Sequence, residues 1–317
     1  MGKFGVPITD EAYHENLRIK NYNLQEHLGS YFDFFAGAGV HFDGNLSWWP
    51  EDDRLEEIFH KRPSQERTIA KGDAMIRFLE TQPAGEPFCL SVSFDAVKND
   101  RDSQMYTPHV ELFKDKPMWV PENYVVGKNT KLPEVLDLWR GVRLHRPKTA
   151  TPDRQQNVTR RFAVQGYTVD QQVGRLMTQL KEMGVLENTV VIYTSDNGRF
   201  QGSHGLFGKA ILYDEAVKAP LIVFDGRVPK GQRGRRENAL VSSVDFAPTM
   251  LALAGVEVPD SMPGKDLAKV LNGTQDMSQW RDSVLIESLF IEEIHSAIND
   301  KKNPIKSEDI PALNDQL

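Results

Sequence analysis

The chain of 317 residues is 39% hydrophobic and 26% charged, a balance that supports one large core or two smaller ones and does not read as disorder. Its net charge of −7 argues against a broad basic surface for nucleic acid, and no run approaches the roughly 18 consecutive apolar residues of a membrane span. A single cysteine, Cys89, excludes an internal disulfide and any multi-cysteine zinc or iron–sulfur site.

In chain order, residues 1–60 alternate polar turns with aromatic clusters such as YFDFFAGAGVHFDGNLSWW, and loops with short elements are expected there. ERTIAKGDAMIRFLETQ, 66–82, repeats Ile69, Ile76 and Leu79 at helical spacing, and PAGEP stops it. FCLSVSFDA, 88–96, is a β-rich run, and its Cys89 is expected as a small core residue. Residues 103–150, rich in proline, lysine and tryptophan, resemble a long surface excursion, with His109 of TPHVELF on a loop.

From 152 onward, Val158, Phe162, Tyr167 or Val169, Val173, Leu176 and Leu180 fall on one helical stripe, the most regular in the chain. TVVIYTS, 189–195, and APLIVFD, 219–225, are continuous apolar runs of the kind found in parallel strands covered on both faces. The basic run RVPKGQRGRR, 227–236, reads as a solvated loop, and VDFAPTMLALAG, 244–255, as a short helix ending at Gly255.

Strands alternating with helices predict an α/β domain with a mostly parallel central sheet and helices on both faces. Ligands of such sheets bind beyond the carboxyl ends of the strands, which is where TSDNGRFQGSHGLFGK begins. Asp196 and Asn197 follow TVVIYTS directly, and a carboxylate beside an amide oxygen is hard-oxygen chemistry suited to Ca²⁺ or Mg²⁺. Taken singly, each residue has a plainer reading. Asp-Asn-Gly is most often a turn, His204 a loop histidine, Lys209 a surface lysine, Lys98 part of a solvated turn, and Asp214 with Glu215 the exposed first turn of a helix.

Taken in order, YTVDQQVGRLMTQLKEMGVLENTVVIYTSDNG, GSHGLFGK, ILYDEAVKAPLIVF, VSSVDFAPTMLALAGVEVP and MPGKDL resemble the sulfatases of the alkaline-phosphatase-like superfamily, nearly continuously from about 160 to 290. Shorter likenesses lie upstream, in GKFG at 2–5 and SFDA at 93–96. The resemblance implies that Asp196 and Asn197 are half of a divalent metal site, usually calcium, with magnesium as the alternative. It implies that Lys209 contacts the sulfate and the leaving-group oxygen, where a fixed cation neutralises developing charge. Lys3 then stands against the nucleophile and the sulfate, Lys98 contacts the sulfate in place of a family histidine, and His204 can donate a proton to the departing alkoxide.

The chain also departs from the family pattern. Ala-Pro-His becomes Ala96-Val97-Lys98, and Lys-x-His becomes Lys3-Phe4-Gly5. The formylglycine nucleophile, made from Cys/Ser-x-Pro-x-Arg, has no counterpart here, and the acidic pair that completes the metal site is missing. The expectation is a partial catalytic domain over 1–290 and the start of a small C-terminal subdomain over 291–317, cut at both ends and inactive as it stands. Its parent is expected to hydrolyse small-molecule or glycan sulfate esters by metal-assisted attack of a hydrated formylglycine on sulfur, in the periplasm or after secretion. Two alternatives stand beside it: a phosphodiesterase or phosphonate hydrolase of the same superfamily, and a non-catalytic protein that holds sulfated glycans with Lys3, Lys98 and Lys209.

Overall fold

The computed structural model describes residues 2–4, 37–39, 47–48, 66–98, 105–133, 136, 140–209 and 211–287. In chain order the elements are β1 (Gly2–Phe4), β2 (Gly37–Gly39), β3 (Ser47–Trp48), α1 (Arg67–Glu80), α2 (Thr107–Phe113), α3 (Arg140–Lys148), α4 (Pro152–Glu182), β4 (Val190–Thr194), α5 (Asp214–Val217), β5 (Leu221–Asp225), α6 (Phe246–Leu253) and α7 (Ala268–Leu271). They divide into two compact units, Met1–Trp119 with Gln156–Leu186, and Val120–Gln155 with Glu187–Leu317. Of the loops expected over 1–60, residues 1, 5–36, 40–46 and 49–60 lie outside the described residues, as does the subdomain of 291–317.

In the first unit β1 pairs parallel with β2, and β2 antiparallel with β3. α1 forms where the helical spacing predicts it, but its buried face runs through Thr68, Gly72, Met75 and Leu79, while Ile69 and Ile76 are only half-buried. The cause is a close helix–helix approach. A Cβ on Gly72 would lie 2.1 Å from Gln172 Oε1 of α4, so a residue without a side chain leads the contact. α4 buries Val158, Phe162, Val169 and Leu180 as the spacing predicts, and adds Gln165, Thr168 and Gln172 to the same stripe.

Two expectations in this unit are corrected. His109 sits on α2 rather than on a loop, because Pro108 in the first turn already has a helical φ. Its Nδ1 meets Thr168 Oγ1 at 2.8 Å, and Tyr106 and Tyr167 flank its ring edge-on. Residues 88–96 form no strand, only an isolated bridge position at Ser93, and Cys89 is exposed rather than buried. Apolar, β-branched composition is not enough without a ladder along the segment. The segment is held instead by Lys71 of α1, whose Nζ donates to Ser93 O at 2.8 Å and to Asp95 Oδ2 at 3.0 Å.

In the second unit β4 and β5 pair antiparallel, from Val190 opposite Asp225 to Thr194 opposite Leu221. This corrects the expectation that these two runs are parallel and doubly covered, since their residues are mostly half-buried and Ile222 is 63% exposed. An apolar run reports partial cover and carries no information on strand direction. The 103–150 excursion, shared between the units, is more ordered than expected, with α2 in the first and α3 in the second. His145 of α3 is fully buried, its Nε2 facing Val125 O at 3.1 Å and Gly127 O at 3.0 Å and its Nδ1 facing Thr149 Oγ1 at 2.6 Å. That pattern suits one neutral tautomer, with Nε2–H donating and Nδ1 accepting. Burial holds its pKa below the ordinary histidine value.

α6 begins at a fully buried carboxylate. Asp245 Oδ2 accepts from Ser242 N–H at 2.8 Å, and Oδ1 accepts from Lys265 N–H at 2.8 Å and from Arg281 Nη2 at 2.7 Å. The helix ends as expected, with Gly255 at a φ of 73°. The basic run after β5 is anchored and not simply solvated: Arg227 pairs with Asp225 at 2.8 Å, and Arg233 reaches Glu187 at 3.2 Å over the ring of Phe224. Among the described residues no helix is long and apolar enough to cross a membrane.

Candidate functional site

The segment between β4 and β5 folds as a small body with its own core. Phe200, Leu206, Ile211 and Ala216 are buried together with Val142, and Leu132, Leu136 and Tyr213 cover them. This apolar floor explains how a loop so rich in polar residues keeps one shape. Phe200, Ser203, Leu206 and Phe207 turn inward, while Asp196 and Lys209 stay exposed.

Asp196 and Asn197 lie just past the end of β4, as the sequence predicts. Lys209 comes back to them. Its Nζ donates to Asn197 Oδ1 and lies 3.8 Å from Asp196 Oδ2. Asp196 is 82% exposed, so its carboxylate remains open to solvent. Ser195 Oγ donates to Asn197 O at 3.0 Å, which pins the turn from the strand side. At Gly198 the backbone passes so near α5 that a Cβ would lie 2.2 Å from Glu215 O, so only glycine fits.

Two hard oxygens already converge on one positive centre, the Lys209 ammonium, and their chemistry fits a hard divalent ion. They supply two of the roughly six to eight oxygens that Ca²⁺ takes, and among the described residues no group of three His, Cys, Asp or Glu side chains completes a site.

His204 stands at the tip of the same loop with a φ of 55°. Its Nε2 is 3.0 Å from Glu215 Oε1 and 3.0 Å from Asn123 Nδ2. Asn123 Nδ2 also donates to Glu215 Oε1 at 2.8 Å, and His204 N–H donates to Asn123 O at 3.0 Å. Burial pushes the Glu215 carboxyl up, but the hydrogen bond from Asn123 and the His204 contact outweigh it, and its pKa lies below the ordinary value. His204 Nε2 is thus engaged with Glu215 and Asn123.

The structure brings Asp196, Asn197 and Lys209 together, with His204 in the same loop, all in the second unit. Lys3 and Lys98 belong to the first unit. Lys3 is the middle residue of β1, and Lys98 is exposed five residues after the Lys71-held carbonyl of Ser93. Asn123 and Glu215 are the residues that sequence reading did not select. Glu215 sat in view within ILYDEAVKAPLIVF as a helix-start acid, whereas Asn123 lies in the excursion with no pattern around it.

The family profile described as Sulfatase matches residues 20–256, which include Lys98, Asp196, Asn197, His204 and Lys209. An N-acetylglucosamine-6-O-sulfatase of Bacteroides thetaiotaomicron is 41% identical over 128 residues, 40% of this chain and 22% of that protein. An arylsulfatase of Clostridium perfringens is 28% identical over 239 residues, 72% of this chain and 46% of that protein. The chain thus spans less than half the length of either relative. Among solved structures, a protein in complex with its substrate D-glucosamine-2-N,6-O-disulfate superimposes with a TM-score of 0.53 at 24% identity, covering 69% of this chain and 55% of that one. That likeness shows the alkaline-phosphatase-like sulfatase fold, and with it the α/β class.

Proposed function

The chain belongs to the sulfatase family, and from that premise we propose that the protein of which it forms at least a part hydrolyses sulfate esters, with Asp196, Asn197 and Lys209 at the site of charge neutralisation. The observation that carries the proposal is the convergence of the Lys209 ammonium on the oxygens of Asp196 and Asn197 just past β4. One lysine beside one carboxylate has no net attraction for an anion. Asp196 and Asn197 would hold a divalent cation, Ca²⁺ before Mg²⁺, which supplies the excess positive charge that a sulfate oxygen seeks.

A cation held there would leave Lys209 free to turn from Asn197 to the ester, where its ammonium would meet the negative charge that builds on the leaving-group oxygen. Lys98 and Lys3 enter the proposal from the sequence resemblance, as a sulfate contact and as a lysine near the nucleophile. The family's formylglycine is the expected nucleophile, and no motif for it occurs in these 317 residues. The names of the relatives favour carbohydrate sulfates, glucosamine 6-sulfates among them, as substrates. The same resemblance supports a periplasmic or secreted setting.

The test is hydrolysis of an aryl sulfate and of N-acetylglucosamine 6-sulfate by whole-length protein, with and without chelator, beside an aryl phosphate and a phosphonate monoester. Release of sulfate, lost in Asp196→Ala and Lys209→Ala, is the expected result. Turnover of the phosphorus esters in preference to the sulfates would replace the proposal by its phosphonate-hydrolase alternative.

A further inference from the structure

The loop that carries the candidate site doubles back on itself as an irregular hairpin of turns, with no regular strand in it. Phe200 N–H donates to Gly208 O at 3.0 Å and Gly202 N–H to Leu206 O at 2.8 Å, with His204 at the tip and Asn197 and Lys209 at the open end. A hairpin with so few ladder bonds is marginal by itself. The apolar floor under Phe200 and Leu206 fixes its middle, and α5 touches both of its ends.

At the open end Gly198 N–H donates to Ala216 O at 2.8 Å, in the close approach that excludes a side chain at 198. At the tip the next residue along α5's other side, Glu215, meets His204 Nε2 at 3.0 Å through its carboxylate. Asn123 closes the ring, donating from Nδ2 to Glu215 Oε1 at 2.8 Å and accepting His204 N–H on its carbonyl at 3.0 Å. Asn129 Nδ2 adds a bond to His204 O at 2.6 Å. His204 is thus fixed through its ring, its N–H and its carbonyl while it holds a φ of 55°, a region that non-glycine residues seldom occupy without support.

We propose that Glu215, His204 and Asn123 form a clamp that holds this hairpin in the one shape in which Lys209 meets Asp196 and Asn197. All three are positioning residues. His204 acts through the loop it fixes and not as a proton donor to the substrate. The consequence for ligand binding rests on the cation reading given above, whereas the clamp itself rests on the hairpin's geometry.

The experiment uses the 317-residue chain and two readouts, amide hydrogen exchange and calorimetric titration with CaCl₂. Glu215→Ala is expected to raise exchange at Gly198, Phe200, Gly202 and His204 at least tenfold, to leave the α6 amides unchanged, and to weaken Ca²⁺ binding at least tenfold. Glu215→Gln keeps an acceptor oxygen for Asn123 and is expected to restore most of both. Asp196→Ala is expected to lose Ca²⁺ binding with the hairpin amides still protected, which separates a ligand from the clamp.

Unchanged hairpin exchange in Glu215→Ala overturns the proposal, and so does a rise spread evenly through the chain. If the parent chain binds no Ca²⁺, the cation reading falls, and the exchange data alone decide for or against the clamp. Should Glu215→Ala fail to fold, Asn123→Ala removes tip contacts of the same ring and is read in the same way.

Discussion

Arg281 Nη2 lies 2.7 Å from Asp245 Oδ1, and that carboxylate is wholly buried. Two backbone N–H groups, of Ser242 and Lys265, share it. Removing one partner of a buried pair leaves the other uncompensated, at a cost of about 3–5 kcal/mol. Arg281→Ala and Asp245→Ala are each expected to lose that much in urea unfolding, and the double variant to lose less than the sum. Additive losses would mean that the pair is not a pair in solution.

Lys209→Ala is expected to lower kcat/KM for a sulfate ester by about 100- to 1000-fold in whole-length protein, the range for loss of one group that stabilises transition-state charge. Its effect on stability is expected to stay within about 1 kcal/mol, because the ion pair to Asp196 is exposed. A thermal midpoint that drops as steeply as the rate would assign Lys209 to the fold instead.

Calcium is expected to raise the thermal midpoint of the chain. Ligand at about 100 times its Kd stabilises by roughly 2.7 kcal/mol, provided that it binds only the folded state. The rise is expected to be smaller with magnesium, which demands stricter octahedral geometry, and absent in Asp196→Ala. An equal rise in that variant would place the ion elsewhere.

Stability is expected to fall as the pH drops below about 6.5, the ordinary histidine pKa. Burial holds the pKa of His145 beneath that value, so in the interval between the two the unfolded chain takes up a proton that the folded chain refuses. Stability then rises with pH through the interval and is lost toward acid. His109, also lowered by burial, adds a term of the same sign, while the Glu215 carboxyl titrates in a more acid range. Urea midpoints at about pH 7.5 and pH 5.5 are expected to differ in the parent chain and to differ less in His145→Gln. An unchanged difference would exclude His145 as a source.

Much of this architecture was legible in the sequence because helical stripes and chain punctuation are local. α4 keeps the predicted phase through Val158, Phe162, Val169 and Leu180, and Gly255 ends α6 where a left-handed residue is needed. What the sequence did not disclose depends on partners far along the chain. The direction of β4 against β5 is set by their pairing, the buried face of α1 by Gln172 across from Gly72, and the openness of Cys89 by the absence of a ladder over 88–96. At the site, Asp196, Asn197 and Lys209 were named from a motif, whereas Asn123 reaches His204 from 81 positions away and has no local signature.

Gly72 and Gly198 carry no chemistry, yet each stands where an added methyl group would collide, at 2.1 Å with Gln172 Oε1 and at 2.2 Å with Glu215 O. A saturation mutagenesis screen of whole-length protein scored by sulfate release would therefore be expected to rank both glycines beside Lys209. Scored by abundance of folded chain, the ranking would come apart. Lys209 would tolerate nearly every replacement, Gly198 almost none, and Gly72 an intermediate set, since a glutamine side chain can swing aside and a backbone carbonyl cannot.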